Sequence, residues 1–221
     1  MISKISSNIR INTVGFLPFQ EKRASIAMPC NFFWIIDVNT DKKVFEGKVI
    51  GPILNEDTDE ELYLADFSEF KEPGKYLLRV DDLGDSPEFE IGESVYLEPF
   101  RAAMIGMYLW RCGTSVKVTY KGITYSHDEC HTDDAWMDYV GGGHKKRNSC
   151  GGWHDAGDYN KYVVNAGISL SLMYMAWEQF GNQIKKVNHL PEEADTGFLP
   201  QFLQEIKWEI DWLFSMQMEN G

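Results

Sequence analysis

The sequence predicts two regions of different fold class: an all-β immunoglobulin-like sandwich over residues 1–95 and an all-α region over residues 96–221. Two observations carry this division. Short segments rich in branched and aromatic residues, separated by turn-forming residues, recur up to about residue 95. Beyond that point the apolar residues recur at the three-to-four-residue spacing of amphipathic helices.

The first region has about seven short strands in roughly 90 residues, which is typical of an immunoglobulin-like sandwich. Asn39-Thr40-Asp41-Lys42 predicts a hairpin turn, and Glu72-Pro73-Gly74 predicts a turn before the sixth strand. The strands are expected at Asn8–Thr13, Arg23–Met28, Phe32–Val38, Lys43–Val49, Glu61–Phe67, Lys75–Val80 and Glu88–Ile91.

The second region predicts three helices, at Leu97–Cys112, Tyr159–Phe180 and Pro200–Met216. Gly181 is expected to cap the second helix at its C-terminus, and Pro200 suits a first helical turn. The stretch from Gly113 to Asp158 is rich in Gly, Asp and His. It is too long and polar for a mere connection, so we expect it to be functional.

Composition and charge disfavour some classes of partner. The net charge of −13 disfavours nucleic acid as a partner, whereas a neutral polysaccharide is compatible with it. The residues after Met1 lack the apolar run that a signal peptide requires, so no signal peptide is expected within this chain, although a leader could have been removed before Met1. No window approaches the roughly 18 apolar residues of a membrane helix, so no membrane partner is expected. Four cysteines do not make a disulfide framework.

Asp155 and Asp158 lie three positions apart in a Gly-rich turn before a predicted helix. An ionised carboxylate at a loop–helix junction would be a suitable general base, which activates water for attack on a glycosidic carbon. A simpler interpretation stays open, in which Asp158 only caps the helix and Asp155 is a turn residue.

Cys112, Cys130, His131 and His154 form a second set of interest. Thiolates and imidazoles together are the ligands of a tetrahedral structural zinc site. Because no Cys-x-x-Cys pair is present, buried inert cysteines or a disulfide between Cys112 and Cys130 remain alternatives.

Several aromatic residues accompany the two aspartates, and Trp136, Trp153 and Tyr159 are candidates for stacking on sugar rings. Core packing is the alternative role for each of them. Trp177, Trp208 and Trp212 follow helical patterns and are expected in the core.

The segment from Gly152 to Tyr162 resembles the Asp-Ala-Gly-Asp signature of glycoside hydrolase family 9, the family of many cellulases. Arg111–Thr114, Cys130–Ala135 and Val163–Gly167 are also similar to the opening of that catalytic domain. Ile11–Pro18 resembles the first strand of the immunoglobulin-like module that precedes many of these domains. The resemblance covers nearly the whole chain.

This resemblance implies that residues 96–221 are the first part of an (α/α)6 barrel. It implies inverting hydrolysis of β-1,4-glucosidic bonds in cellulose or related β-glucans. Asp158 would be the general base and Asp155 its partner in holding the water. It also implies structural zinc at the Cys/His set. Some family members bind calcium, for which no site is assigned here.

In the family the proton-donating Glu lies near the far end of the catalytic domain. We therefore expect the general acid outside these 221 residues, in a missing remainder of the domain, and expect the chain alone to be inactive. The parent enzyme is expected to be secreted or periplasmic. Four glutamates are expected on the solvated surface: Glu178, Glu205, Glu209 and Glu219.

Two alternatives remain. The enzyme could be an exo-acting β-glucosidase or β-glucosaminidase of the same family. The chain could instead be a non-catalytic carbohydrate-binding or scaffolding module, since sandwiches serve in this way too.

Overall fold

The computed structural model describes residues 5–137 and 145–218, with the backbone alone at 134–137 and 145–146. The chain divides into two compact units, Met1–Pro99 and Phe100–Gly221. Among the described residues, no helix has the length and apolarity needed to cross a membrane.

The first unit is a β-sheet unit, and the pairs between its strands β1 to β8 are antiparallel. The strand order is β1-β2-β5-β4-β3-β6-β7, and β8 also pairs with β6. The strands are β1 (Ile9–Arg10), β2 (Arg23–Ile26), β3 (Phe32–Asp37), β4 (Lys42–Asn55), β5 (Glu60–Asp66), β6 (Gly74–Val80), β7 (Gly84–Asp85) and β8 (Phe89–Ile91).

The long strand β4 joins the two halves of this sheet. Its Lys42–Lys48 half pairs with β3, and its Val49–Asn55 half pairs with β5. Both halves contribute to one buried core, which includes Ile26 and Phe33. The predicted strand ended at Val49, because sequence alternation does not show that the chain continues into a second set of partners.

Aromatic rings fill the centre of this core. Phe16 meets Phe67 and Phe89 edge-on, at centroid distances of 5.3 and 5.6 Å. Edge-on contact is a favoured geometry for aromatic pairs.

The hairpin turn predicted at residues 39–42 is confirmed, since Asp37 pairs with Lys42 across it.

In its described residues, the second unit contains three helices and two small antiparallel strand pairs. Buried residues of all three helices share one core cluster, which includes Met104, Leu170 and Phe202. The elements are α1 (Leu97–Leu109), β9 (Val116–Tyr120), β10 (Ile123–His127), β11 (Asp134–Met137), β12 (Lys145–Asn148), α2 (Val163–Ile184) and α3 (Gln201–Met216).

Helix α2 differs from its prediction at both ends. It begins at Val163 rather than Tyr159, because Tyr159 has a left-handed backbone (φ 56°) that a helix cannot contain. It also continues through Gly181 to Ile184, so the predicted cap at Gly181 is wrong. Consequently Asp158 lies in a loop and is not a helix N-cap.

Candidate active site and metal site

The segment that carries the two aspartates is fixed to the end of α1. The backbone N–H of Cys112 donates to the carbonyl of Gly152 (2.8 Å), and that of His154 donates to the carbonyl of Trp110 (2.9 Å). This short antiparallel bridge holds the chain immediately before Asp155. Gly152 has φ 73°, a conformation that glycine adopts without strain.

Asp158 presents an exposed carboxylate held by its own loop. It accepts hydrogen bonds from the backbone N–H of Asn160 (3.1 Å), the side-chain amide of Asn160 (3.1 Å) and the hydroxyl of Tyr162 (3.0 Å). The backbone bond to Asn160, followed by the two side-chain bonds, lowers the pKa of Asp158. The group is therefore ionised, as a general base must be.

Asp155 is also exposed, and its orientation is set by α2. The amide of Asn165 donates to Asp155 Oδ1 at 2.7 Å, and the backbone N–H of Asp155 donates to the carbonyl of Asn160 at 2.8 Å. Asp155 lines a cavity of about 330 Å³ together with Tyr162, Asn165 and Glu209.

The four residues predicted to bind metal come together. One ligand atom each from Cys112, Cys130, His131 and His154 lies within 4.8 Å of all the others. Cys130 Sγ lies 3.4 Å from His154 Nε2. In a tetrahedral zinc site with bonds of about 2.0–2.3 Å, ligand atoms stand about 3.3–3.8 Å apart, so this pair already has the required spacing.

The surroundings of His154 fit a metal ligand. Its Nδ1 lies 3.0 Å from the carbonyl oxygen of Tyr159, which favours a proton on Nδ1 and leaves Nε2 free to face the cysteines. Burial lowers the pKa of His154, which keeps the ring in the neutral form that binds metal. All four cysteines are free thiols, which disfavours the alternative disulfide between Cys112 and Cys130. The donor set therefore fits zinc.

The three aromatic candidates for sugar binding have different environments. Tyr159 is exposed and directly follows Asp158 in the same loop. Trp153 is buried, and its indole N–H donates to Glu205 Oε1 at 2.8 Å, so much of this ring serves the core. Trp136 lies in β11, but its side chain is outside the described residues.

Two glutamates were wrongly predicted to be solvated. Glu205 is 0% exposed and pairs with the guanidinium of Arg111 at 2.9 Å. Glu209 is 1% exposed, and burial raises its pKa to about 7. Both lie on the face of α3 that also carries Phe202 and Ile206, so helical periodicity already indicated their burial. Glu178 is exposed as predicted, and Glu219 lies outside the described residues.

The sequence profile for glycosyl hydrolase family 9 matches residues 96–221. A second profile, for the cellulase N-terminal ig-like domain, matches residues 4–85. A sheet unit of this kind, followed by helices and an Asp-Ala-Gly-Asp loop, agrees with both. The chain belongs to glycosyl hydrolase family 9.

Two of the similar proteins are endoglucanases by name. Endoglucanase D of Acetivibrio thermocellus is 47% identical over 219 residues, which are 99% of this chain and 34% of that protein. The crystal structure of a metagenome-derived glycoside hydrolase family 9 endoglucanase is similar with a TM-score of 0.82 and 32% identity, over 96% of this chain and 40% of that one.

A third comparison bears on the metal. The crystal structure described as a Zn-binding triple mutant of the family 9 endoglucanase J30 has a TM-score of 0.83 and 31% identity. It covers 92% of this chain and 39% of that one. The chain thus spans about a third of the length of the curated relatives it matches first.

Proposed function

We propose that the whole enzyme hydrolyses β-1,4-glucosidic bonds in cellulose or related β-glucans with inversion, and that Asp158 is its general base. The observation that carries this proposal is an exposed carboxylate with a lowered pKa in the Asp-Ala-Gly-Asp loop of a family 9 chain. Family membership and the endoglucanase relatives support the substrate class.

In this reaction, Asp158 takes a proton from water while the water oxygen bonds to the anomeric carbon. Asp155, held by Asn165, orients the same water. The glycosidic C–O bond breaks as a protonated carboxyl gives its proton to the leaving oxygen. In inverting enzymes the two carboxyl groups stand about 6.5–9.5 Å apart, which leaves room for the water.

Glu209 has the pKa expected of a proton donor but not the accessibility. Its pKa of about 7 is suited to a general acid. At 1% exposure, however, it cannot reach the oxygen of a polysaccharide chain. We assign the acid to the remainder of the catalytic domain, and the 221 residues alone should not turn over glucan.

Zinc at Cys112, Cys130, His131 and His154 would be structural, since four protein ligands leave no open position for water. The ion would tie the segment after α1 and the 130–131 loop to the residue directly before Asp155. The family's calcium has no assigned place.

We also propose that the helical unit is the first part of an (α/α)6 barrel, which further helices complete in the whole enzyme. Apolar side chains on α2 are exposed, among them Ile168, Leu172 and Met175, and further helices would cover them. We also propose that the whole enzyme is exported, to the periplasm or beyond, because polymeric glucan cannot enter a cell.

Nuclear magnetic resonance of the product tests the function. The whole enzyme should release the α-anomer first from a β-linked cello-oligosaccharide, and Asp158→Asn should abolish turnover. Asp211→Asn, which removes another exposed carboxylate, is the matched control and should retain activity. A β-anomer as the first product would reject inversion, and an active Asp158→Asn enzyme would reject the base.

The same enzyme separates the alternatives. Endo action predicts a rapid fall in the viscosity of a soluble glucan, whereas an exo-acting glucosidase or glucosaminidase releases single sugars from cello- or chito-oligosaccharides. A binding module would retain glucan and cleave none of these substrates.

A further inference from the structure

Helix α3 holds the backbone segment that leads to the two aspartates. The residues responsible, Glu205, Trp208, Glu209 and Trp212, recur at the three- and four-residue spacing that puts side chains on one helix face. All four reach the segment Ser149–Trp153, which has no regular secondary structure.

Hydrogen bonds account for this attachment. Trp208 Nε1 donates to the carbonyl of Gly152 at 3.0 Å, and Trp212 Nε1 donates to the carbonyl of Ser149 at 3.2 Å. Glu205 accepts from the indole of Trp153 at 2.8 Å, and the backbone N–H of Trp153 acts on the Glu209 carboxyl, where it opposes the rise in pKa.

Lys161 also holds the segment. The Lys161 ammonium donates to the carbonyls of Gly151 (3.0 Å) and Ser149. Trp212 also packs directly on the backbone, since a Cβ added at Gly152 would lie 2.5 Å from its ring. An irregular segment held by so many contacts has one defined position.

That position matters for chemistry because Asp155 follows Trp153 by two residues. A general base must stand within hydrogen-bond reach of the attacking water. A misplacement of about 1 Å can cost about a hundredfold in rate.

We propose that Trp208 and Trp212 are positioning residues for Asp155 and Asp158, acting through their indole N–H groups. This inference rests on the proposed function. The competing interpretation is that both rings only fill the core, as the sequence predicts.

Replacing each indole by a ring without a donor separates the two interpretations. Trp208→Phe and Trp212→Phe remove the N–H and keep an aromatic ring. Trp177→Phe is the matched control, because Trp177 packs against the same core, stacked on Phe202 at 6.1 Å. Among the described residues its indole makes no hydrogen bond to the segment.

In the whole enzyme, we expect kcat to fall about ten- to a hundredfold for Trp208→Phe and Trp212→Phe, with KM little changed. Trp177→Phe should lower the melting temperature about as much as Trp208→Phe and Trp212→Phe do, but its kcat should stay near that of the unmodified enzyme. Because a Phe variant could fail to fold, benzothienylalanine at position 212, which replaces N–H by sulfur in nearly the same shape, supplies a second test.

Equal kcat values for the benzothienylalanine enzyme and the unmodified enzyme would overturn the inference. So would a loss of kcat that appears only in step with lost zinc, measured on the same samples. Asp158→Asn, assayed alongside, keeps the two proposals distinct: if it stays active, the assigned base fails, whatever the indole variants do.

Discussion

Buried His189 and Glu209 should give the helical unit two opposing dependences of stability on pH. His189 is 3% exposed, and burial lowers its pKa from 6.5 to about 4, with Arg111 and Arg101 adding to the effect and Asp195 opposing it. In the unfolded chain the imidazole regains its ordinary pKa. Between these values the unfolded chain binds a proton that the folded chain does not, so stability is lost as pH falls from 6.5 to 4.

Glu209 acts in the opposite direction. Burial raises its pKa from 4.5 to about 7, with Glu205 adding to the effect while Lys161 and the Trp153 N–H oppose it. Between these values the folded chain holds a proton that the unfolded chain has released, so stability is lost as pH rises from 4.5 to 7. For each group, the difference between the folded and the unfolded pKa corresponds to about 3 kcal/mol over its full pH range.

The two slopes nearly cancel between pH 4.5 and 6.5, and single substitutions should expose them. In Glu209→Gln, the free energy of unfolding relative to the unmodified chain should rise by about 2 kcal/mol as the pH increases from 4.5 to 6.5. In His189→Gln it should fall by a similar amount. Urea unfolding of the full chain, followed by tryptophan fluorescence at fixed ionic strength, measures both.

Glu178→Gln, at an exposed position of α2, is the control and should parallel the unmodified chain. Comparing each variant with the unmodified chain at the same pH removes the contributions of surface carboxylates and metal ligands. If both buried variants also parallel the unmodified chain, burial does not shift these two groups and the reasoning fails.

Three further outcomes are expected. Arg111→Met should cost about 3–5 kcal/mol in urea unfolding, because it leaves the fully buried Glu205 carboxylate without its guanidinium; a cost below about 1 kcal/mol would contradict this. Cys112→Ser should abolish one-to-one zinc binding in native mass spectrometry, and a chelator should lower the melting temperature of the unmodified chain, whereas a chain that binds no zinc would refute the site. Lys22→Met should cost about 2 kcal/mol, since the 0% exposed ammonium donates to two backbone carbonyls that would be left unpaired; unchanged stability would mean that water replaces it.

Much of the fold could be predicted because its signals are local. Strand alternation and turn residues indicate a hairpin wherever both strands are neighbours in sequence, as at β3 and β4. The predicted start of α2 was wrong because its apolar pattern extends upstream of the helix. The left-handed backbone at Tyr159 depends on contacts that periodicity does not record.

The candidate site, too, could be predicted only in part from the sequence. Residue chemistry and the family resemblance were enough to select Asp155, Asp158 and the Cys/His set. The sequence could not show that Glu205 pairs with Arg111, 94 positions away. The α3 pattern indicates which face is buried, but a buried carboxylate needs a partner that only the folded chain supplies.

The sequence by itself determined the family, the order of the two regions and the residue types available for catalysis and for metal. Only the tertiary structure decided that α3 holds the segment before the aspartates. Hydrogen bonds between Trp208 or Trp212 and that segment join residues 56 and 63 positions apart. The sequence pattern predicts the helix and places both tryptophans on it. It does not predict which carbonyl each indole N–H reaches, because that depends on how the loop and the helix pack together.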